Sequence, residues 1–197
     1  MTKTKITVNQ LGDVKFNEYF SICTEGDIER FDAFVEKHKL KMDTQDHTCL
    51  SVAIDNGHTE FVRHICKKYP LLISDNEIAI FCPVIASGKI EIFDVFLELG
   101  MDPDIDDGTF LQVAVEHGSL DWVKYLIEKG CKAETSDHMA LQFAAMGGHL
   151  DIIKYFLEIS DPPSEIIKEC IKGAETQDVL DIAKYLKRIL ALQEINV

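Results

Sequence analysis

The sequence predicts an all-α fold, a solenoid of about six helix–turn–helix units. The first observation behind this is repetition. "GSLDWVKYLIEKG", from Gly118, returns thirty residues later as "GHLDIIKYFLEIS", from Gly148. Aligning on these glycines finds Gly88 in "SGKIEIFDVFLELG", Gly57 in "NGHTEFVRHICKKYP" and Gly26 in "EGDIERFDAFVEKH"; "QDVLDIAKYLKRIL" fits with Asp178 at the glycine position. The anchors therefore stand 31, 31, 30, 30 and 30 residues apart. The second observation is that apolar residues within each copy, such as Leu120, Val123, Leu126 and Ile127, recur at helical spacing. The third is that one copy is too short to bury its own apolar face, whereas three or more stacked copies can do so.

In chain order, residues 1–16 read as an extended lead-in. Units follow at about 17–46, 47–77, 78–107, 108–137 and 138–163, with a capping unit at 164–197. Each unit opens with a short apolar helix, as in "TCLSVAIDN" from Thr48, "TFLQVAVEH" from Thr109 and "MALQFAAMG" from Met139. Small residues four before the anchor, at Ala53, Ala114, Ala144 and Ala174, allow close helix packing. The anchor glycine suits a residue with positive φ between two helices. Three residues after it stands an acid in every copy: Glu29, Glu60, Glu91, Asp121, Asp151 and Asp181. An acid there faces the positive end of the second helix's dipole. The third unit is irregular, because Pro83 falls where its first helix should already be running, so that helix starts late or bends. Pro162 and Pro163 mark the last connector, and Ser164 is the expected N-cap of the final pair.

These residues resemble an ankyrin-repeat protein. The stretch from Asp107 to Gly130, "DGTFLQVAVEHGSLDWVKYLIEKG", is similar to the family pattern, with Thr109, Leu111 and Ala114 at the Thr, Leu and Ala of T-P-L-H-x-A. The resemblance covers about residues 17–197. The family's Pro is replaced by Cys49, Phe110 and Ala140, and its His by Ser51, Gln112 and Gln142. The period is shorter than the family's, which implies shortened hairpin fingers. Compact repeats with "HLDIIKY" lines resemble the ankyrin arrays of giant amoebal viruses.

Composition bounds the function. The chain has 197 residues, 46% hydrophobic and 27% charged, which suits a globular protein with a real core. A formal charge of −14 and the lack of a basic stripe argue against nucleic acid or an anionic membrane as partner. No apolar run is long enough to span a bilayer, and "MTKTKITVNQLGDVKF" lacks the features of a secretory signal. Six cysteines (Cys23, Cys49, Cys66, Cys82, Cys131, Cys170) form no CxxC pair, so they read as reduced and buried in a cytoplasmic or nuclear compartment, that of a host cell included. The charge also favours a monomer.

No phosphate loop, nucleophile elbow, dinucleotide fingerprint or HExxH is present, and the chain reads as no enzyme, with no cofactor and no metal. His58 and His149 stand at the family's turn histidine and read as structural. His64 and Cys66 are two apart on a helix and share no face. The series Asp121, Lys124, Glu128, then Asp151, Lys154, Glu158, then Asp181, Lys184, Arg188, reads as intrahelical ion pairs on an outer face. Tyr125, Tyr155 and Tyr185 align for packing between repeats.

The resemblance implies a non-enzymatic protein–protein interaction module whose partner protein sits on the concave finger and first-helix side. Carried over by position, the finger residues are Asp46, His47, Asn76, Glu77, Asp107, Asp137 and His138. The helix-end residues are Asp55, Asn56, Ser87, Glu116, His117 and Met146. Acids recur at one finger position (Asp46, Glu77, Asp107, Asp137), which reads either as an acidic groove for a Lys- or Arg-rich segment or as caps for the following helices. Two other readings stand beside this one. "PPSEIIKECI" resembles the opening of the F-box-like helix set with which some viral ankyrin proteins recruit a ubiquitin ligase, although the repeat register runs on to Leu190. A structural array without a specific partner is the other.

Overall fold

A computed structural model describes residues 7–42, 48–70 and 83–195. The chain divides into two compact units, Met1–Met101 and Asp102–Val197. Unit one holds a 3-10 turn at Val8–Gln10, then α1 (Asp13–Glu25), α2 (Ile28–His38), α3 (Thr48–Asp55), α4 (Thr59–Lys68), α5 (described over 83–86) and α6 (Ile90–Glu98). Unit two holds α7 (Ile105–Glu116), α8 (Leu120–Lys129), α9 (Thr135–Gly147), α10 (Leu150–Ile159), α11 (Ser164–Thr176) and α12 (Leu180–Ile195). No strand occurs among the described residues.

The turns between paired helices share a left-handed anchor, and most share a pair of backbone hydrogen bonds; at Gly26 a single bond to the Ile22 carbonyl closes the turn. The anchor residue is left-handed, with φ of +69° at Gly26, +75° at Gly57, +74° at Gly88, +65° at Gly118 and +79° at Gly148. Its amide bonds back to the residue three before it at Gly57, Gly88 and Gly118 (3.0, 3.1 and 2.8 Å). The next amide closes a longer ring. His58, Lys89, Ser119, His149 and Val179 donate to the carbonyls of Ala53, Val84, Ala114, Ala144 and Ala174 at 2.8–3.2 Å. This pair of bonds is the Schellman ending, which satisfies carbonyls that a helix end would otherwise orphan. Asp178 takes the same conformation at φ +60° and makes the same bond to Glu175, so the last pair keeps the turn without the glycine.

Lack of a side chain at the anchor serves packing as well. A Cβ on Gly26 would lie 2.6 Å from the ring of His58, one repeat on, and a Cβ on Gly118 would lie 2.6 Å from the ring of His149. His58 Nε2 donates to the Thr24 carbonyl at 2.7 Å, since a carbonyl can only accept. His58 therefore fastens its repeat to the preceding one by a hydrogen bond, and His149 packs its ring against the preceding anchor. The small residues do what their spacing predicts: Ala53, Ala114, Ala144 and Ala174 are fully buried.

Within unit two, the first helices α7, α9 and α11 stack in order, and α8 lies beside α10. Phe110, Val123, Leu126, Leu141, Ile152, Ile153 and Phe156 fill the core between these layers. In unit one α1 stacks on α3 and α4 on α6, around Tyr19, Phe31, Phe61, Phe93 and Phe96. Phe31 meets Phe61 edge-on at 5.1 Å, a favoured aromatic geometry that joins α2 to α4.

Three details differ from the sequence-based expectations or sharpen them. Helix α1 already begins at Asp13, inside the stretch read as lead-in, with Val8 and Leu11 buried ahead of it. Ser164 is the first helical residue rather than the cap. Pro163 holds the cap position at φ −55° and ψ 149°, which its ring favours, and the Ser164 hydroxyl bonds instead to Gln193 Oε1 at 3.3 Å. Pro83 lies in α5, where its carbonyl accepts from Ser87 N–H at 2.9 Å; the start of that helix falls outside the described residues. The "PPSEIIKECI" stretch leads into α11, which packs against α12 as the last helix pair.

The two kinds of anchor should respond oppositely to substitution. Gly118→Ala meets both a left-handed backbone and the His149 ring and should cost about 1–3 kcal/mol, read as a lower urea midpoint. Asp178→Gly relieves the same conformation and should stabilise by a few tenths to about 1 kcal/mol.

Candidate partner-binding surface

The fingers of unit two are tight turns in left-handed backbone. Asp107 and Gly108 have φ of +55° and +79°; one repeat later Ser136, Asp137 and His138 have +52°, +53° and +57°. Each non-glycine residue held this way costs about 1–2 kcal/mol, so the surroundings must impose it. They do so through backbone carbonyls. Gln112 Nε2 donates to the Asp107 carbonyl at 3.3 Å, and Gln142 Nε2 to that of Asp137 at 3.1 Å. These are the two glutamines that replace the family's histidine. Ser136 Oγ adds a bond to the Asp107 carbonyl at 3.1 Å, and Cys131 donates to the Pro103 carbonyl at 3.0 Å, so one finger is fastened to the next.

With their carbonyls bonded by these side chains, Asp107 and Asp137 keep exposed carboxylates that make no hydrogen bond or ion pair with any described residue. Neither carboxylate caps a helix. His138 beside them is half-buried, and its Nδ1 is buried without a hydrogen-bond partner among the described residues. Asp46, His47, Asn76 and Glu77, the other finger positions read from the sequence, lie outside the described residues.

The helix-end positions divide between the units. In unit one Asp55, Asn56 and Ser87 are exposed; Asn56 Nδ2 bonds to the Val52 carbonyl at 2.8 Å and Ser87 Oγ to the Val84 carbonyl at 3.0 Å, so both partly finish their own helices. In unit two Glu116 and His117 are exposed without side-chain bonds to described residues. Met146 is 37% exposed and rests on Gly173, where a Cβ would come within 2.9 Å of its Cγ. Met139, 39% exposed, shares α9 with Met146; sequence reasoning took it for part of the apolar helix. Its only signal was its place at the head of that helix, next to the finger.

Away from the fingers, polar side chains link neighbouring repeats. Lys124 does not pair with Asp121 or Glu128; its ammonium lies 5.6 Å from the Tyr155 ring centroid, one repeat on. Lys154 repeats this with Tyr185 at 6.0 Å. The expected pairs of Lys124 and Lys154 with the acids of their own helices are therefore not made, and each lysine lies near a half-buried tyrosine of the next repeat instead. In unit one Arg63 bridges Glu60 at 3.4 Å and Glu98 of α6. Asp32 of α2 accepts from Lys68 at 2.8 Å and His64 at 3.0 Å on α4. Burial works to raise the pKa of Asp32, but the bonds from Lys68 and His64 outweigh it and hold the carboxyl below its usual range.

No group of three or more His, Cys, Asp or Glu side chains is placed to hold a metal among the described residues. Cys23, Cys49, Cys66, Cys131 and Cys170 are buried thiols, whereas Cys82 lies outside the described residues. Burial pushes the thiols of Cys66, Cys131 and Cys170 up to about 12, which leaves them protonated and unreactive near neutral pH. Those three should resist iodoacetamide at pH 8 in the native protein and react fully in urea, as read by mass spectrometry. Asp32→Asn should cost up to about 1 kcal/mol at pH 7. A carboxyl with a depressed folded pKa stabilises fully above its unfolded value of about 4 and loses this as pH falls through the folded value. Urea melts of the variant and wild type should therefore converge near pH 2.

Residues 81–166 match the family model for ankyrin repeats (3 copies). The fold is similar to that of an ankyrin repeat domain from Acinetobacter baumannii AYE, with a TM-score of 0.62 and 19% identity over 88% of this chain and 97% of that one. At that identity the likeness speaks for the fold alone. No curated protein sequence matches the chain significantly.

Proposed function

We propose that this ankyrin-repeat protein is a non-enzymatic binding module that takes a partner protein on its fingers and first-helix ends, through a Lys- or Arg-rich segment. Ankyrin repeats are generally protein–protein interaction modules, and residues 81–166 match them. The observation that carries the finer reading is the pair Asp107 and Asp137. Both are exposed, both lack a partner among the described residues, and both are held in left-handed backbone at equivalent places in successive repeats. A carboxylate that neither caps nor pairs within its own fold keeps its full capacity for an incoming cation. The formal charge of −14 adds long-range attraction for such a segment and speeds encounter at low salt.

Met139 supplies apolar contact two residues from Asp137, and Met146 does so at the far end of α9, and thioethers adapt to varied partners. Glu116 and His117 extend the polar part of the surface.

Affinity capture from a eukaryotic lysate tests the reading, comparing wild type with Asp107→Lys/Asp137→Lys. A partner should be retained by the wild type and weakened at least about tenfold by the double reversal, with affinity falling steeply between low and physiological salt. Equal capture by both proteins would rule out the acidic fingers as the binding face.

A further inference from the structure

Aromatic rings in unit one form a continuous run. Phe61 of α4 meets Phe31 of α2, Phe31 lies 5.9 Å from Tyr19 of α1, and Tyr19 lies 5.8 Å from Phe34, back on α2. The His38 ring closes the outer end, 4.4 Å from Phe34 and one helical turn further along α2. Tyr19, Phe31, Phe34 and Phe61 are buried, and His38 is half-buried. Its Nε2 is covered, yet no described residue offers that atom a hydrogen bond. A buried N–H without an acceptor is costly, so the proton of the neutral ring belongs on Nδ1 and Nε2 stays bare.

We propose that His38 is an acid-operated latch on the first helix pair: the neutral ring holds α2 against α1, and protonation drives it off Phe34 into water and loosens the pair. An added proton would sit on Nε2, where no described residue accepts it. An imidazolium in this place therefore keeps neither water nor a hydrogen bond at that atom. The charges around the ring are Lys15 and Glu18 of α1 and Lys37 of α2. Burial first, then the two lysines, hold the His38 pKa below the usual histidine value, against the opposing pull of Glu18. The C-terminal end of α2 would favour a cation, but the Val35 and Glu36 carbonyls there already accept from the Leu40 and Lys39 amides at 3.0 and 3.2 Å. A histidine with a lowered folded pKa stabilises fully above its unfolded value of about 6.5 and loses this as pH falls through the folded value. Local opening costs less than global unfolding, so weakening this one contact acts on α1 and α2 before the rest of unit one. The latch is independent of the finger acids in unit two and of any partner they take.

Two measurements on the full chain test this. In an NMR titration the His38 ring should titrate below about 6.5, the value of an unperturbed histidine. In hydrogen exchange read by mass spectrometry, corrected for the intrinsic effect of pH, α1 and α2 should lose protection several-fold relative to unit two between pH 7.5 and pH 5.5. The variant His38→Phe keeps a ring against Phe34 but takes no proton, so its α1 and α2 should stay protected at both pH values. Should that variant misfold, as its exchange at pH 7.5 would reveal, His38→Leu and the wild-type titration carry the test. A ring that titrates at or above about 6.5 would overturn the proposal. So would unchanged protection in the wild type. Equal loss in wild type and variant would place the acid-sensitive group elsewhere and overturn it too.

Discussion

Every helix pair described through its turn depends on one residue holding left-handed backbone at the end of the first helix. That conformation folds the chain back sharply enough for the second helix to lie against the first. At Gly57, Gly88, Gly118 and Asp178 it also places two amides on carbonyls that would otherwise be orphaned at the helix end. In five of the six copies the residue is glycine, at Gly26, Gly57, Gly88, Gly118 and Gly148. Backbone freedom is only half the reason. At Gly26 and Gly118 the space a Cβ would take belongs to a histidine ring of the following repeat, so one glycine closes its own turn and receives its neighbour. Asp178 follows the first rule without the second glycine property, and the turn survives because aspartate tolerates left-handed backbone better than most residues.

Stacking redirects the polar residues as well. On an isolated helix Lys124 would be drawn to Asp121 and Glu128, and Lys154 to Asp151 and Glu158. Within unit two each lysine instead lies over a tyrosine of the next second helix. Arg63 and Asp32 also spend their bonds across repeats in unit one. Since a repeat contacts only its neighbours, such links matter out of proportion to their individual size, for cooperativity in a repeat array passes through its interfaces.

The fingers show the same division between backbone and side chain. Gln112 and Gln142 stand where the family carries histidine, and each holds the carbonyl of a finger aspartate. The aspartates are thereby fixed through the main chain and their carboxylates left in solvent. Each finger has its main chain held by a glutamine and its carboxylate unpaired among the described residues. Met139 stands beside the second of these fingers, at the head of α9.

The repeat length, the helix pairs, the left-handed anchors and the buried alanines were all legible in the sequence, because each follows from local spacing or local backbone chemistry. The acids of the second helices and the structural place of His58 and His149 were legible for the same reason. What the linear pattern left open was decided by neighbours thirty residues away. Sequence alone allowed Asp107 and Asp137 to be caps or free charges; only the position of Gln112 and Gln142 in the folded turn separates the two. It placed Ser164 at a cap that Pro163 occupies, and it paired lysines within helices whose partners stand on the next repeat. Periodicity fixes which face of a helix is buried, whereas the partner of a polar side chain depends on distances across repeats that only stacking defines.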